Sequence, residues 1–125
     1  MSDRILLTIP AENGFEAVAQ LVLGGVAARL NLSYESLDDL GIALATLLER
    51  RHDGELTVEL DVADDSITTL VGPFDESVAQ ELRSGGEGFD LHRILVTVTD
   101  GFDVVERDGA SFVELRKSVD RAGAT

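Results

Sequence analysis

The sequence contains no cysteine, no tryptophan and no apolar run long enough to cross a bilayer. The absence of cysteine excludes disulfide bonds, thiolate metal sites and a cysteine nucleophile. Residues 1–4 show no signal-peptide pattern, and the missing apolar run gives no reason to expect a membrane location. We therefore expect a soluble protein of the reducing cytoplasm.

Basic residues are scarce as well. Lysine and arginine number 10 against 24 aspartates and glutamates, so the formal net charge is −14. This charge repels nucleic-acid phosphates and anionic lipid, and five phenylalanines with one tyrosine argue against an aromatic platform for bases. It attracts basic proteins, in an association that weakens with added salt. The acidity is equally compatible with a domain that only needs solubility, or with a salt-adapted proteome.

The hydrophobic pattern predicts one domain over residues 1–125. Alternating apolar residues predict strands over residues 4–9, 56–62, 67–71, 102–106 and 112–117. Apolar residues at three- and four-residue steps predict helices over residues 15–30, about 34–51, about 76–82 and 91–98. Clustered strands and separate helices favour an α+β two-layer sandwich, with the helices on one face of a mixed, mostly antiparallel sheet.

The helix predicted from about Tyr34 to Arg51 is the clearest element of the sequence. Either Ser33 or Ser36 can cap its first turn. One apolar stripe runs along it, formed by Leu37, Leu40, Leu44, Leu47 and Leu48. We therefore expect this helix to pack on the sheet through a single face.

Five short segments carry a resemblance to a known protein family. They are residues 9–11 (IPA), 15–18 (FEAV), 31–33 (NLS), 37–44 (LDDLGIAL) and 109–117 (GASFVELRK). Together with the order of the elements, they resemble the GHKL-type ATP-binding domain, and more narrowly the bacterial anti-sigma-factor serine kinases of stress and sporulation control. The resemblance implies one anti-sigma-factor or histidine-kinase-like ATPase domain over residues 1–125.

The family carries its main catalytic groups on the second helix. A glutamate there activates water or the acceptor hydroxyl, and an asparagine four residues later, about one helical turn away, binds Mg²⁺. Continuing the match from Leu40 places Thr46 at the glutamate position and Arg50 at the asparagine position. Threonine is too weak a base and arginine cannot ligate a cation, so no catalytic residue is predicted. Arg50 can still neutralise a phosphate, or it simply caps the helix end.

Two further motifs of the family are altered. The family's Asp-x-Gly-x-Gly loop, whose aspartate reads the adenine amino group, retains only Gly72, in what reads as a strand-ending turn. The glycine-rich lid that wraps the phosphates corresponds to a segment with Gly86 and Gly88. In that segment Glu87 and Asp90 place two carboxylates where polyphosphate would lie.

The altered motifs also lead to an expectation about cofactors. Neither ATP nor Mg²⁺ is expected to bind. Should the motif register differ, the candidate nucleotide contacts are Arg50, Gly72, Gly86 and Gly88. No metal site is predicted, because the adjacent acids at 38–39 and 64–65 lack the ligand spacing of a calcium loop.

The resemblance implies protein partners, namely a sigma factor and an antagonist protein. It places the docking contacts on the first helix around Glu16, Gln20 and Arg29, with glutamine at a position where the family often has a basic residue. The leading hypothesis is a regulator that sequesters a sigma factor without kinase activity. The alternatives are an active ATP-dependent serine/threonine kinase of the same family, and a purely structural or oligomerisation module. The resemblance also suggests a homodimer formed through the sheet and first strand.

Overall fold

The computed structural model describes residues 3–9, 20–22, 24–25, 28, 33–49, 55–63, 65–84 and 91–118. The strands are β1 (Asp3–Ile9), β2 (Leu56–Val62), β3 (Ser66–Phe74), β4 (Gly101–Arg107) and β5 (Ala110–Ser118). The helices are α1 (Tyr34–Leu48), α2 (Glu76–Ser84) and α3 (Leu91–Val98). Residues 20–22, 24–25 and 28 are also helical, and we call them the first helical segment. The predicted α+β class and all predicted strands are confirmed.

The five strands form one sheet in the order β1-β2-β3-β5-β4, and every neighbouring pair is antiparallel. Because side chains alternate between the two faces of a strand, the register aligns apolar residues into rows across the sheet. One row consists of Leu7, Val58, Val71, Val113 and Val104. The next consists of Ile5, Leu60, Thr69, Leu115 and Phe102. These rows form the face on which the helices pack.

The helices cover that face with their own apolar residues. Helix α1 buries Leu44 and Leu47, and α3 buries Leu91 and Leu95, each with at most 4% of its surface exposed. Ser33 begins α1 as its N-cap, because its side chain accepts a hydrogen bond of 3.2 Å from the backbone N–H of Ser36, three residues ahead. Helices and sheet share one hydrophobic core, as a two-layer sandwich requires.

Strand β3 is longer than its sequence predicts. The turn expected at Gly72 does not end the strand, which continues to Phe74. A register shift between Val71 and Phe74 accommodates the proline that follows Gly72, since a proline has no N–H to donate to the ladder. Phe74 is thereby buried and pairs with Ser111 of β5.

None of the helices in the described part of the chain has both the length and the apolar character that crossing a bilayer requires.

Candidate functional site

Helix α1 and the first helical segment border an open cleft of about 460 Å³. Its lining is mostly apolar and comes from both elements: Gln20, Gly24, Tyr34, Leu37, Asp38, Gly41, Ile42 and Ala45. The α1 residues among these recur at helical steps and form one stripe. Helix α1 therefore has two apolar faces, one against the sheet and one toward the cleft.

Gln20 joins the two sides of the cleft. Its side-chain Nε2 donates a hydrogen bond of 3.1 Å to the backbone carbonyl of Gly41 in the middle of α1. Glycine leaves room for this approach, because a Cβ at position 41 would lie 3.1 Å from Oε1 of Gln20 and the amide would have to move slightly. Gln20, one of the three predicted docking residues, thus holds the first helical segment against α1. The other two, Glu16 and Arg29, lie outside the described residues.

Two large apolar side chains of α1 at the cleft are open to solvent. Tyr34 is 83% exposed and Ile42 is 41% exposed. Leu21, on the first helical segment, is 75% exposed. Asp38 lies in the lining and is itself exposed. The cleft therefore offers apolar contact area with a negative charge beside it.

The hydroxyl of Thr46, the residue that the resemblance matches to the family's glutamate, is hydrogen-bonded within its own helix. Its Oγ1 donates a hydrogen bond of 2.7 Å to the backbone carbonyl of Ile42, one turn earlier. Glu49, which ends α1, is exposed three residues further on. The position matched to the family's base therefore holds a hydroxyl that donates to its own helix, and not a carboxylate. Arg50 lies outside the described residues.

Gly72 has a packing role that the sequence did not reveal. It lies on the sheet face opposite the helices, where the Phe112 ring of β5 fills the space that a side chain would need. A Cβ at position 72 would lie 2.5 Å from Cδ2 of that ring. The packing of Phe112 is therefore a sufficient reason for glycine at position 72, and no bound nucleotide is needed to explain it. Gly86 and Gly88, the other two predicted glycine contacts, lie outside the described residues.

At the start of α3, a side chain of α2 accepts a hydrogen bond from a backbone N–H of the first turn. Oε2 of Glu81 accepts a hydrogen bond of 3.1 Å from the backbone N–H of Leu91. Nδ1 of His92 is 2.8 Å from the backbone carbonyl of Leu82, which can only accept, so this nitrogen carries the proton. A helix N-terminus favours an anion, and here a carboxylate of α2 takes that place.

No group of three or more histidine, cysteine, aspartate or glutamate side chains in the described ranges is arranged to hold a metal ion.

Sequence reasoning missed the cleft and its exposed residues Tyr34 and Ile42. The signal was available, because residues 34, 38, 41 or 42 and 45 recur at helical steps on a side of α1 that adjoins the leucine stripe at Leu37. That periodicity identifies a second helix face, but only the position of the first helical segment makes it one wall of a cleft.

Comparison with known proteins finds no family model that matches the chain. The chain is similar to the serine-protein kinase RsbW of Listeria monocytogenes, with 29% identity covering 90% of this chain and 86% of that protein. It is similar to the serine-protein kinase RsbW of Halalkalibacterium halodurans, with 28% identity over 86% of this chain and 78% of that protein.

A solved structure has the same fold. The crystal structure of the RsbU and RsbW domains of a Mycobacterium tuberculosis protein superimposes with a TM-score of 0.68 and 12% sequence identity. The match covers 95% of this chain, and the chain spans only 33% of that longer protein.

Proposed function

We propose that this chain, which is similar to serine-protein kinases named RsbW over 90% of its length, is a protein-binding regulator of the anti-sigma-factor type without kinase activity. In this proposal it sequesters a sigma factor and is countered by an antagonist protein. The first helical segment and the neighbouring residues Glu16, Gln20 and Arg29 form the docking side. The observation that carries the proposal is Thr46, which stands where the family has its catalytic glutamate.

Thr46 cannot replace that glutamate. A general base must accept a proton at neutral pH, and a neutral threonine hydroxyl has almost no tendency to do so. Its proton, moreover, is donated to the carbonyl of Ile42 at 2.7 Å, within the same helix. A phosphoryl transfer that relies on this position would lack its proton acceptor.

Two more features support a pocket that no longer serves nucleotide. Gly72 is explained by the packing of Phe112, and Glu81 presents a carboxylate at the start of α3. A phosphate approaching that helix end would meet a negative charge that is already hydrogen-bonded there. Neither ATP nor Mg²⁺ is needed for the proposed role.

Calorimetric titration with ATP and ADP, with and without Mg²⁺, tests the loss of the nucleotide site. We expect no heat of binding at millimolar nucleotide, while the RsbW protein of Listeria monocytogenes serves as the comparison under the same conditions. Micromolar binding by this chain would overturn the proposal, and phosphorylation of an antagonist protein would then favour an active kinase, as the names of the relatives suggest.

The partner is tested separately. A pull-down from native lysate at low salt should recover a sigma factor, and recovery should fall as salt is raised, because the chain carries a net charge of −14. Recovery of neither a sigma factor nor an antagonist protein would contradict the proposed role.

A further inference from the structure

We propose that the cleft between the first helical segment and α1 binds a basic amphipathic helix of a partner protein, with Tyr34 and Ile42 as its apolar contacts. This inference rests on the proposed protein-binding function and specifies the chemistry of the partner at that side. In this inference the main partner contacts are the apolar side chains of Tyr34 and Ile42 on α1, and not the polar side chain of Gln20.

The first argument is the distribution of apolar residues around α1. Its buried side includes Leu40, Leu44 and Leu47, which belong to the core. Tyr34 and Ile42 lie about two turns apart on another side, and they are 83% and 41% exposed. A surface helix that only packs on its own sheet needs one apolar stripe, so a second exposed stripe indicates a contact with another molecule.

The second argument is the shape of the cleft. Gly24 and Ala45 have little or no side chain and leave space in the cleft beside Tyr34 and Ile42, whereas the side-chain amide of Gln20 lies against Gly41. From position 34 to position 45 the helix rises about 16 Å, which is the length of about three helical turns. An open cleft of about 460 Å³ lined by this part of α1 suits the apolar side of one short helix.

The third argument is charge. Asp38 is the only charged residue among the described residues that line the cleft. Glu35 is exposed and lies three residues before Asp38 and seven before Ile42, so its charge adjoins the same stripe. Asp39, the neighbouring acid, is already paired with Lys117 at 2.8 Å.

The charges of Glu35 and Asp38 distinguish two possible occupants of the cleft, a basic helix of another protein and a second copy of this chain. Lysine or arginine beside the apolar residues of an incoming helix would pair with Glu35 and Asp38. A second copy of this chain also carries a formal net charge of −14, so it offers less charge complementarity to Glu35 and Asp38 at this cleft than a basic helix does. A basic helix of a different protein is therefore the occupant that fits both the apolar stripe and its acidic border.

A synthetic peptide tests this directly. The probe is a Lys/Leu peptide of about 18 residues, patterned as an amphipathic helix and long enough to remain helical when bound. One control peptide has the same composition with the leucines distributed around the helix, and another replaces lysine by glutamate. Binding is measured by calorimetry, and its location by the amide chemical shifts of the labelled protein.

We expect micromolar binding of the amphipathic Lys/Leu peptide, with shifts concentrated at the lining residues of the cleft. The scrambled peptide should bind at least tenfold more weakly, and the Glu/Leu peptide should not bind. Tyr34→Ser and Ile42→Ser should each reduce affinity about tenfold, as expected when a single apolar contact worth roughly 1.4 kcal/mol is lost. Both side chains are exposed, so neither variant should lose more than a little stability, which urea denaturation checks.

Val96→Ser is the matched control variant. Val96 is 58% exposed on α3 and does not line the cleft, so its substitution should leave the affinity unchanged. The proposal is overturned if the scrambled peptide binds equally well, if Val96→Ser weakens binding as much as Ile42→Ser, or if no peptide binds. A concentration-dependent dimer in sedimentation that Ile42→Ser abolishes would also overturn it, in favour of a second copy as occupant.

The same variants separate this inference from the proposed function. If wild-type protein and Ile42→Ser recover a sigma factor equally well, the cleft is not the contact and the proposed function stands. If wild-type protein recovers no partner, the proposed function fails, whatever the peptide does.

Discussion

Substituting Gly72 by alanine should destabilise the protein through a single contact across the sheet. A Cβ at this position would lie 2.5 Å and 2.7 Å from two ring atoms of Phe112, and 3.1 Å from the Cα of the same residue. The ring can move, because Phe112 is half-buried, but the backbone Cα cannot do so without shifting β5. Movement of the ring also disturbs its contact with Arg107, whose guanidinium carbon is 5.9 Å from the ring centroid.

The size of the effect follows from two opposing contributions. Overpacking of a well-fitted contact costs about 1–3 kcal/mol, and we take about 2 kcal/mol because the ring is free to yield partly. Replacing glycine by alanine in a strand stabilises the folded state by about 0.5–1 kcal/mol, because the unfolded chain has less conformational entropy to lose. The net expectation for Gly72→Ala is a loss of about 1–1.5 kcal/mol of unfolding free energy.

Urea denaturation of four proteins measures this: wild type, Gly72→Ala, Phe112→Ala and the double variant. Without the ring, the alanine at position 72 should cost almost nothing, so the coupling energy between the two positions should be about 1 kcal/mol or more. Gly101→Ala is the control, since a Cβ there would meet the flexible end of Arg116 at 2.7 Å and should change stability by less than about 0.5 kcal/mol. Equal effects of Gly72→Ala with and without the ring would refute the reasoning.

Three further predictions concern the ends and attachments of the elements. Ser33→Ala should lower the unfolding free energy by about 1 kcal/mol, because it removes the N-cap of α1, and Ser33→Asp should restore it. Asp39→Asn should cost about 1.5 kcal/mol, because it leaves Lys117, only 15% exposed, without its ion-pair partner at 2.8 Å. The backbone N–H that ends β5 holds the pKa of Asp100 below its usual value, so this carboxylate stabilises the fold above about pH 3.9, and the contribution is lost as the pH falls through the lowered native pKa. Wild type and Asp100→Asn should therefore differ at pH 7 and converge in strong acid.

Urea denaturation decides the first two of these, and the same measurement repeated between pH 2 and pH 7 decides the third. The cap interpretation is contradicted if Ser33→Ala leaves stability unchanged. An Asp39→Asn variant as stable as wild type would show that the pair with Lys117 adds nothing. A constant difference between wild type and Asp100→Asn across the acid range would remove the role given to that carboxylate.

The local elements could be predicted from the sequence because their signals are local. The alternation at Leu56, Val58 and Leu60 predicts β2, and the leucine stripe predicts α1. The sequence offers two caps for α1, Ser33 or Ser36, and the structure shows that Ser33 is the one used. Net charge depends on composition alone, so the acidic character, and with it the expectation that nucleic-acid phosphates are repelled, needed no coordinates. The prediction that Thr46 and Arg50 stand at the family's glutamate and asparagine positions likewise uses only a spacing along one helix.

The tertiary structure decided what depends on residues far apart in the chain. Gln20 bonds Gly41 across 21 positions, and Lys117 bonds Asp39 across 78. Gly72 reads as a strand-ending turn until Phe112 is seen to fill the space beside it. Periodicity reports which side of an element is apolar, but not which element will cover it. The second apolar side of α1 became a cleft only because the first helical segment borders it and leaves it open to solvent.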